Sequence, residues 1–223
     1  MKALALLVLG ALGLVLLAAG AGLPLHGDPA APASLHVSDD YVRGSMVDAH
    51  TPNVVTTMIA DYRGFDTLGE TMVVFSAGLA CMLLLRTPVR GRVPTLGRPK
   101  GNVITEIVTR AMIPVIQLFA LYVLFHGHYS PGGGFQGGAL IAATVLLARM
   151  VLGFERSQAL FPIALGTPLG LAGVAIFAGV GLTALLLGGN VLDYSYLPLG
   201  LPKNMLHNWG ILLVEIGVSF GVT

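Results

Sequence analysis

Six long apolar stretches alternate with polar segments along the chain, at about 3–23, 66–85, 107–125, 135–152, 161–187 and 207–223. A membrane-crossing helix needs about 20 mostly apolar residues, and each stretch reads as one, the last being short for a full span. Between the first two lies a different pattern. Val54, Val55, Met58, Ile59 and Tyr62 recur at helical spacing and form one apolar stripe. Thr51-Pro52 suits the start of that helix and Gly64 its end. Residues 24–40, rich in Pro, Ala and Asp, are expected to be extended. The pattern therefore predicts an all-α integral membrane protein. It has about six transmembrane helices, two plus four, and a short amphipathic helix in the first outer loop.

The first stretch has a second reading. Lys2, an apolar run and Ala19-Gly20-Ala21 resemble a secretory signal peptide with its cleavage site. The run is longer than a usual signal core, which favours a retained anchor helix.

Composition narrows the class. Of 223 residues 55% are hydrophobic and 10% charged, against about 25% charged in a soluble domain. So little charge cannot coat a water-soluble globule, which excludes a soluble enzyme and a disordered chain. A net charge of +1 supplies no field to hold nucleic acid. Cys81 is the single cysteine, too few for a disulfide within the chain or a cysteine-held cluster. No cofactor is expected in this chain.

Charge also orients the spans. The segment 86–101 carries Arg86, Arg90, Arg92, Arg98 and Lys100, and Arg149 and Arg156 follow two spans later. The opposite loops hold Arg43, Arg63 and Lys203. Basic residues gather on the cytoplasmic side, so both termini are expected there, in a multi-pass protein. The same segment, rich in Arg, Pro and Gly, reads as a linker between a two-helix part, 1–85, and a four-helix part, 102–223.

A few polar groups fall where charge is costly. Asp66 and Glu70, four apart, share a helix face, and two close carboxylates in apolar surroundings suit proton handling. Asp66 also fits a helix cap. Glu215 lies in the middle of the last apolar stretch. There a lone carboxylate must be protonated, paired or hydrated. His128, His207 and Lys203 are further path candidates. Gly132, Gly134 and Gly137 match a dinucleotide pattern, but no strand precedes them and the match is rejected. Pro131, Gly132, Gly133, Gly134, Gly137 and Gly138 read instead as a tight helical hairpin with small residues at its seam. His126 and His128 fit polar packing in that turn better than a metal site. Glu106 and Arg110 read as a surface ion pair.

Two resemblances sit on these motifs. The stretch from Asn53-Val54-Val55 through Asp61-Tyr62-Arg63-Gly64-Phe65-Asp66-Thr67-Leu68-Gly69-Glu70 resembles the small E-type component of membrane-bound hydrogenases and the C-terminal region of the large A-type component, MrpA, of Mrp antiporters. Gly127-His128, Pro131 to Gly138 and Glu215-Ile216-Gly217-Val218 resemble the MnhB/MrpB family. The resemblance implies a fusion of neighbouring modules in a large complex related to complex I, with other membrane subunits and lipid as partners and no nucleic acid. It implies Na⁺ and H⁺ as transported ions, and Glu70 as the acid nearest the ion path. The chain is not expected to be an enzyme on its own, though a redox-driven ion-translocating complex is a possible setting. The competing reading is a purely structural subunit that seals and assembles the membrane arm.

Overall fold

The computed structural model describes residues 2–85 and 103–223, and among them there are helices and loops but no strand. The linker expected at 86–101 lies outside the described residues. Six helices are long and apolar enough to cross a membrane, as the hydropathy pattern predicts. Contacts divide the chain into two compact units, Met1–Val42 and Arg43–Thr223.

In the first unit, α1 (Lys2–Ala21) is apolar all round and no residue of it is buried. That is the composition of a helix whose whole surface meets lipid or another protein. Segment 24–40 is not extended, contrary to expectation. It holds the single turn α2 (Pro32–Leu35) and the start of α3 (Ser38–Val47). Pro32 occupies the first turn of α2, where its missing N–H costs nothing. Asp39 and Asp40 sit in the first turn of α3 and complement its dipole.

The second unit continues with α4 (Val54–Thr57), which runs into a π-helical turn (Met58–Tyr62) and then α5 (Gly64–Leu85). Two expectations are corrected here. Asn53, not Thr51, is the cap: its Oδ1 accepts from the N–H groups of Val55 and Thr56 at 3.0 and 3.4 Å. Gly64 begins α5 rather than ending the preceding helix. The π-turn leaves backbone carbonyls without their usual helical donors, and side chains supply them. Thr67 Oγ1 donates to the Ile59 carbonyl at 2.7 Å, and the Tyr194 hydroxyl donates to that of Ala60.

The remaining spans are α6 (Val103–Phe125), α7 (Gly134–Leu152), α9 (Gly166–Leu186) and α10 (Lys203–Val222), with the short α8 (Phe154–Leu160) between α7 and α9. The last helix begins at Lys203 and has 20 residues, so it is long enough to span. Helix α10 is the hub, packed along α9 and α7 and also against α5 and α6. Lipid gives helices no hydrophobic drive to associate, so close backbone approach must hold them. At the α9–α10 crossing a methyl group on Gly217 would stand 2.8 Å from the Gly173 carbonyl oxygen. Phe177, Tyr194, Ile211 and Val214 are fully buried beside this crossing.

Gly217→Val is therefore expected to destabilise the bundle by roughly 1–3 kcal/mol or more through overpacking. Thermal unfolding in detergent, followed by circular dichroism, measures it.

Candidate functional site

One end of the second unit gathers the α6–α7 hairpin loop, the π-turn, the loop before α10 and the first turns of α10. The hairpin forms because Gly133 adopts φ +116°, a conformation open to glycine at little cost, and its N–H returns to the Val123 carbonyl at 3.1 Å. Gly134 and Gly138 then face α10: a methyl on Gly138 would lie 2.7 Å from the Ser219 carbonyl oxygen, and one on Gly134 would collide with that of Glu215. Gly137 faces α6 instead, with the Ala120 carbonyl oxygen 3.2 Å from the same imagined methyl. Gly132 abuts the Val123 carbonyl, and Pro131 is exposed at the tip.

These glycines make room for Glu215. It sits about 18 Å along α10 from Lys203, and is 4% exposed. A methyl on Gly133 would lie 2.5 Å from its Oε1, and one on Gly127 3.2 Å. Its Oε2 is buried with no hydrogen-bond partner, and among the described residues no basic side chain pairs with it. Ile59, Thr67, Phe135, Gln136 and Val218 help line the cavity around it. That cavity offers about 10 Å³ to the centre of a water molecule, near the smallest space, about 10–15 Å³, that holds one water.

Above Glu215 the irregular segments are tied together by polar side chains. Asn53 Nδ2 donates to the carbonyls of Gly127 and Ser130 at 2.7 and 2.8 Å, and Thr56 Oγ1 donates to that of Gly127 at 2.8 Å. His128 is buried, its Nε2 3.0 Å from the Asn208 carbonyl oxygen, and burial pushes its pKa below the ordinary 6.5. Thr51 Oγ1 donates to Asn208 Oδ1 at 3.0 Å. On the other flank, Asp61 Oδ2 lies 3.2 Å from His207 Nδ1, and His207 Nε2 lies 3.0 Å from Ser195 Oγ. The Tyr194 ring meets His207 edge-on, and its hydroxyl is held protonated by burial and by the acidic side chains of Asp61 and Glu215.

The sequence candidates thus separate. Glu215, His128 and His207 converge on this end of the bundle. Lys203 is exposed at the start of α10. Asp66 and Glu70 share the exposed face of α5, while Thr67 and Thr71 face inward. Asp66 does not cap α5. It lies in the first turn, 2.7 Å from Arg63 Nε. Glu106 accepts from Arg110 at 2.8 Å and also from Arg156. Sequence reasoning passed over Asn53, Asn208, Tyr194 and the Asp61–His207 pair. Asn53 directly after Pro52, ahead of an apolar stripe, was a readable cap signal. The others are joined by contacts more than 70 residues apart in sequence, for which the sequence carries no local cue. Among the described residues no three His, Cys, Asp or Glu side chains converge to hold a metal ion.

Asn53 separates capping from tethering. Asn53→Ala removes both and is expected to cost about 2–3 kcal/mol, roughly 1 for the cap and 1 for each lost bond, less what water restores. Asn53→Asp keeps the acceptor and loses the donors, so it should restore helix content but not thermal stability. Paired melting curves read the difference.

Comparison with known proteins places these features. A family model described as a domain related to the MnhB subunit of Na⁺/H⁺ antiporter matches residues 104–223, and the MbhE model, for the E-type component of MBH, matches residues 12–100. The chain is 33% identical over 134 residues to the B-type component of the Na⁺/H⁺ antiporter of Alkalihalophilus pseudofirmus, covering 55% of this chain and 90% of that one. It is 32% identical over 117 residues to an uncharacterized protein of Methanocaldococcus jannaschii, covering 46% of this chain and 45% of that one, so it spans less than half of that relative's length. Two solved structures match across its length. One is the membrane-bound sulfane sulfur reductase, an archaeal respiratory membrane complex, with a TM-score of 0.72, 27% identity, and 99% and 95% of the two chains covered. The other is the Mrp complex from Dietzia sp. DQ12-45-1b, with a TM-score of 0.69, 26% identity, and 100% and 26% covered. The chain is a multi-pass, all-helical membrane protein and belongs to the family of domains related to the MnhB subunit of Na⁺/H⁺ antiporters.

Proposed function

We propose that this chain is a non-catalytic membrane subunit of a multisubunit cation/proton antiporter assembly, either of the Mrp type or within a respiratory complex related to membrane-bound hydrogenase. Its partners are the other membrane subunits, and Na⁺ and H⁺ are the transported ions. The observation that carries this reading is Glu215, a carboxylate within the last spanning helix with a buried oxygen that has no hydrogen-bond partner among the described residues, in a chain of the MnhB-related family. An acid placed so deep without a counter-charge is stable only while a proton or a cation neutralises it. That requirement makes it a station that exchanges one for the other.

The Asp61–His207–Ser195 group lies about 12 Å nearer the start of α10, roughly two turns along the helix, and forms the entry side of the path. Glu70 and Asp66 are exposed on α5, so their part of the path lies against a neighbouring subunit. The two sequence modules, 1–85 and 102–223, are two such neighbours joined in one chain. The protein sits in the cytoplasmic membrane of a bacterium or archaeon with both termini inside.

The test is ion exchange in vesicles carrying the whole complex. Glu215→Gln, which keeps the shape and loses the charge, is expected to assemble normally on native gels and to lose exchange. Glu70→Gln is expected to do the same. Normal exchange by an assembled Glu215→Gln complex would leave the structural, sealing role as the function.

Orientation is checked in a Cys81→Ser background. Tyr129→Cys should react with an impermeant thiol reagent from outside intact cells, and Glu155→Cys only after the membrane is opened.

A further inference from the structure

At the end of the bundle away from Glu215 lies a groove of about 330 Å³, within the range of about 300–1,000 Å³ usual for ligand sites. Its walls are apolar and include Ile141, Val145, Phe161, Ile163 and Leu169. Arg149, in the last turn of α7, forms part of the same lining. One guanidinium nitrogen, Nη2, donates to the Phe161 carbonyl at 3.0 Å, and the group lies 5.3 Å over the Phe154 ring. The other, Nη1, is buried with no hydrogen-bond partner among the described residues.

The charge itself is not balanced. Among the described residues no carboxylate pairs with Arg149. The segment 86–102 contains no Asp or Glu, so it brings none. A neighbouring cleft makes an instructive contrast. Arg110 and Arg156 line it, and both bind the Glu106 carboxylate. There the chain supplies its own anion; at Arg149 no described carboxylate side chain forms an ion pair, and the other polar residue of the lining is Thr223.

An unbalanced, partly buried cation calls for an external anion, and the groove beside it calls for an apolar tail. Arginine's planar fork suits phosphate oxygens, and basic pockets between transmembrane helices hold anionic headgroups. We propose that this groove is a binding site for an anionic phospholipid, with the headgroup phosphate at Arg149 and an acyl chain along Ile141, Val145 and Leu169. The position fits: α7 ends at Leu152, just after Arg149, so the guanidinium lies within a turn of its helix end while the groove runs toward α9. This site is independent of the antiporter reading.

Binding is measured on the full chain in detergent by native mass spectrometry, with phosphatidylglycerol, phosphatidylcholine and sn-glycerol 3-phosphate as probes. The wild type is expected to retain phosphatidylglycerol about fivefold or more over phosphatidylcholine, the size of one basic contact at a membrane surface. It should not retain glycerol phosphate. Arg149→Gln should lose the preference and Arg149→Lys keep part of it. Leu169→Trp, which fills the groove and leaves the charge, should lose retention of both lipids. The Leu169→Trp and Arg149→Lys results carry the test if Arg149→Gln aggregates. Equal retention of both lipids by the wild type overturns the proposal, as does an unchanged preference in Arg149→Gln or unchanged retention in Leu169→Trp. Retention of glycerol phosphate as strong as that of the lipid would assign the site to free phosphates instead.

Discussion

A peptide group buried away from water has no solvent partner, so buried backbone that leaves the regular helix must be hydrogen-bonded by the protein. This constraint organises one end of the second unit. Three irregular pieces meet there: the approach to α4, the π-turn and the hairpin loop between α6 and α7. Groups from elsewhere in the chain supply hydrogen bonds to each. Asn53 gives its amide protons to the hairpin carbonyls of Gly127 and Ser130, and the Asn53 N–H goes to the His128 carbonyl at 3.0 Å. Thr67 and Tyr194 serve the carbonyls that the π-turn sets free. The irregular backbone is therefore a joint between segments, and its geometry is fixed by bonds that span the chain.

Glu215 depends on that joint. A carboxylate fits against the hairpin because Gly127 and Gly133 present bare backbone to it. Any side chain at Gly133 would need the space that Oε1 now fills. The glycines that read in the sequence as a helix-packing device thus serve two purposes. Gly134, Gly137 and Gly138 bring α7 onto its neighbours, while Gly127 and Gly133 define the volume around an acid.

Much of this was legible before the structure. Hydropathy located the spans, because their apolar runs are long and uninterrupted. Pro131 and the glycines marked the hairpin, and Glu215 stood out as an acid in the middle of an apolar stretch. The Glu106–Arg110 pair followed from its spacing of four. What escaped depends on distant partners or on weak local signals. Segment 38–47 is polar and short of apolar periodicity, yet it is helical. Gly64 has the chemistry of a helix end, but the chain turns there and continues as another helix. Tyr194 lies in a loop of ordinary composition, and its burial comes from α10 and the π-turn folding over it. Arg149 could be seen as a positive charge on one side of the membrane. That no described carboxylate pairs with it depends on packing, which gives Glu106 to Arg110 and Arg156.

The π-turn has one more consequence, for the phase of α5. Five residues from Met58 to Tyr62 form a wider turn than the 3.6 residues of an α-helix. The surplus rotates everything that follows relative to α4. With that rotation Thr67 and Thr71 point into the bundle, and Asp66 and Glu70 point out of it. One residue fewer before it would shift where α5 starts and so change the face that each of its positions presents. The outward aim of these acids is thus encoded in the length of the backbone before them as much as in their own identities. Substitutions alone leave that register unchanged; an insertion or deletion in 58–62 resets it.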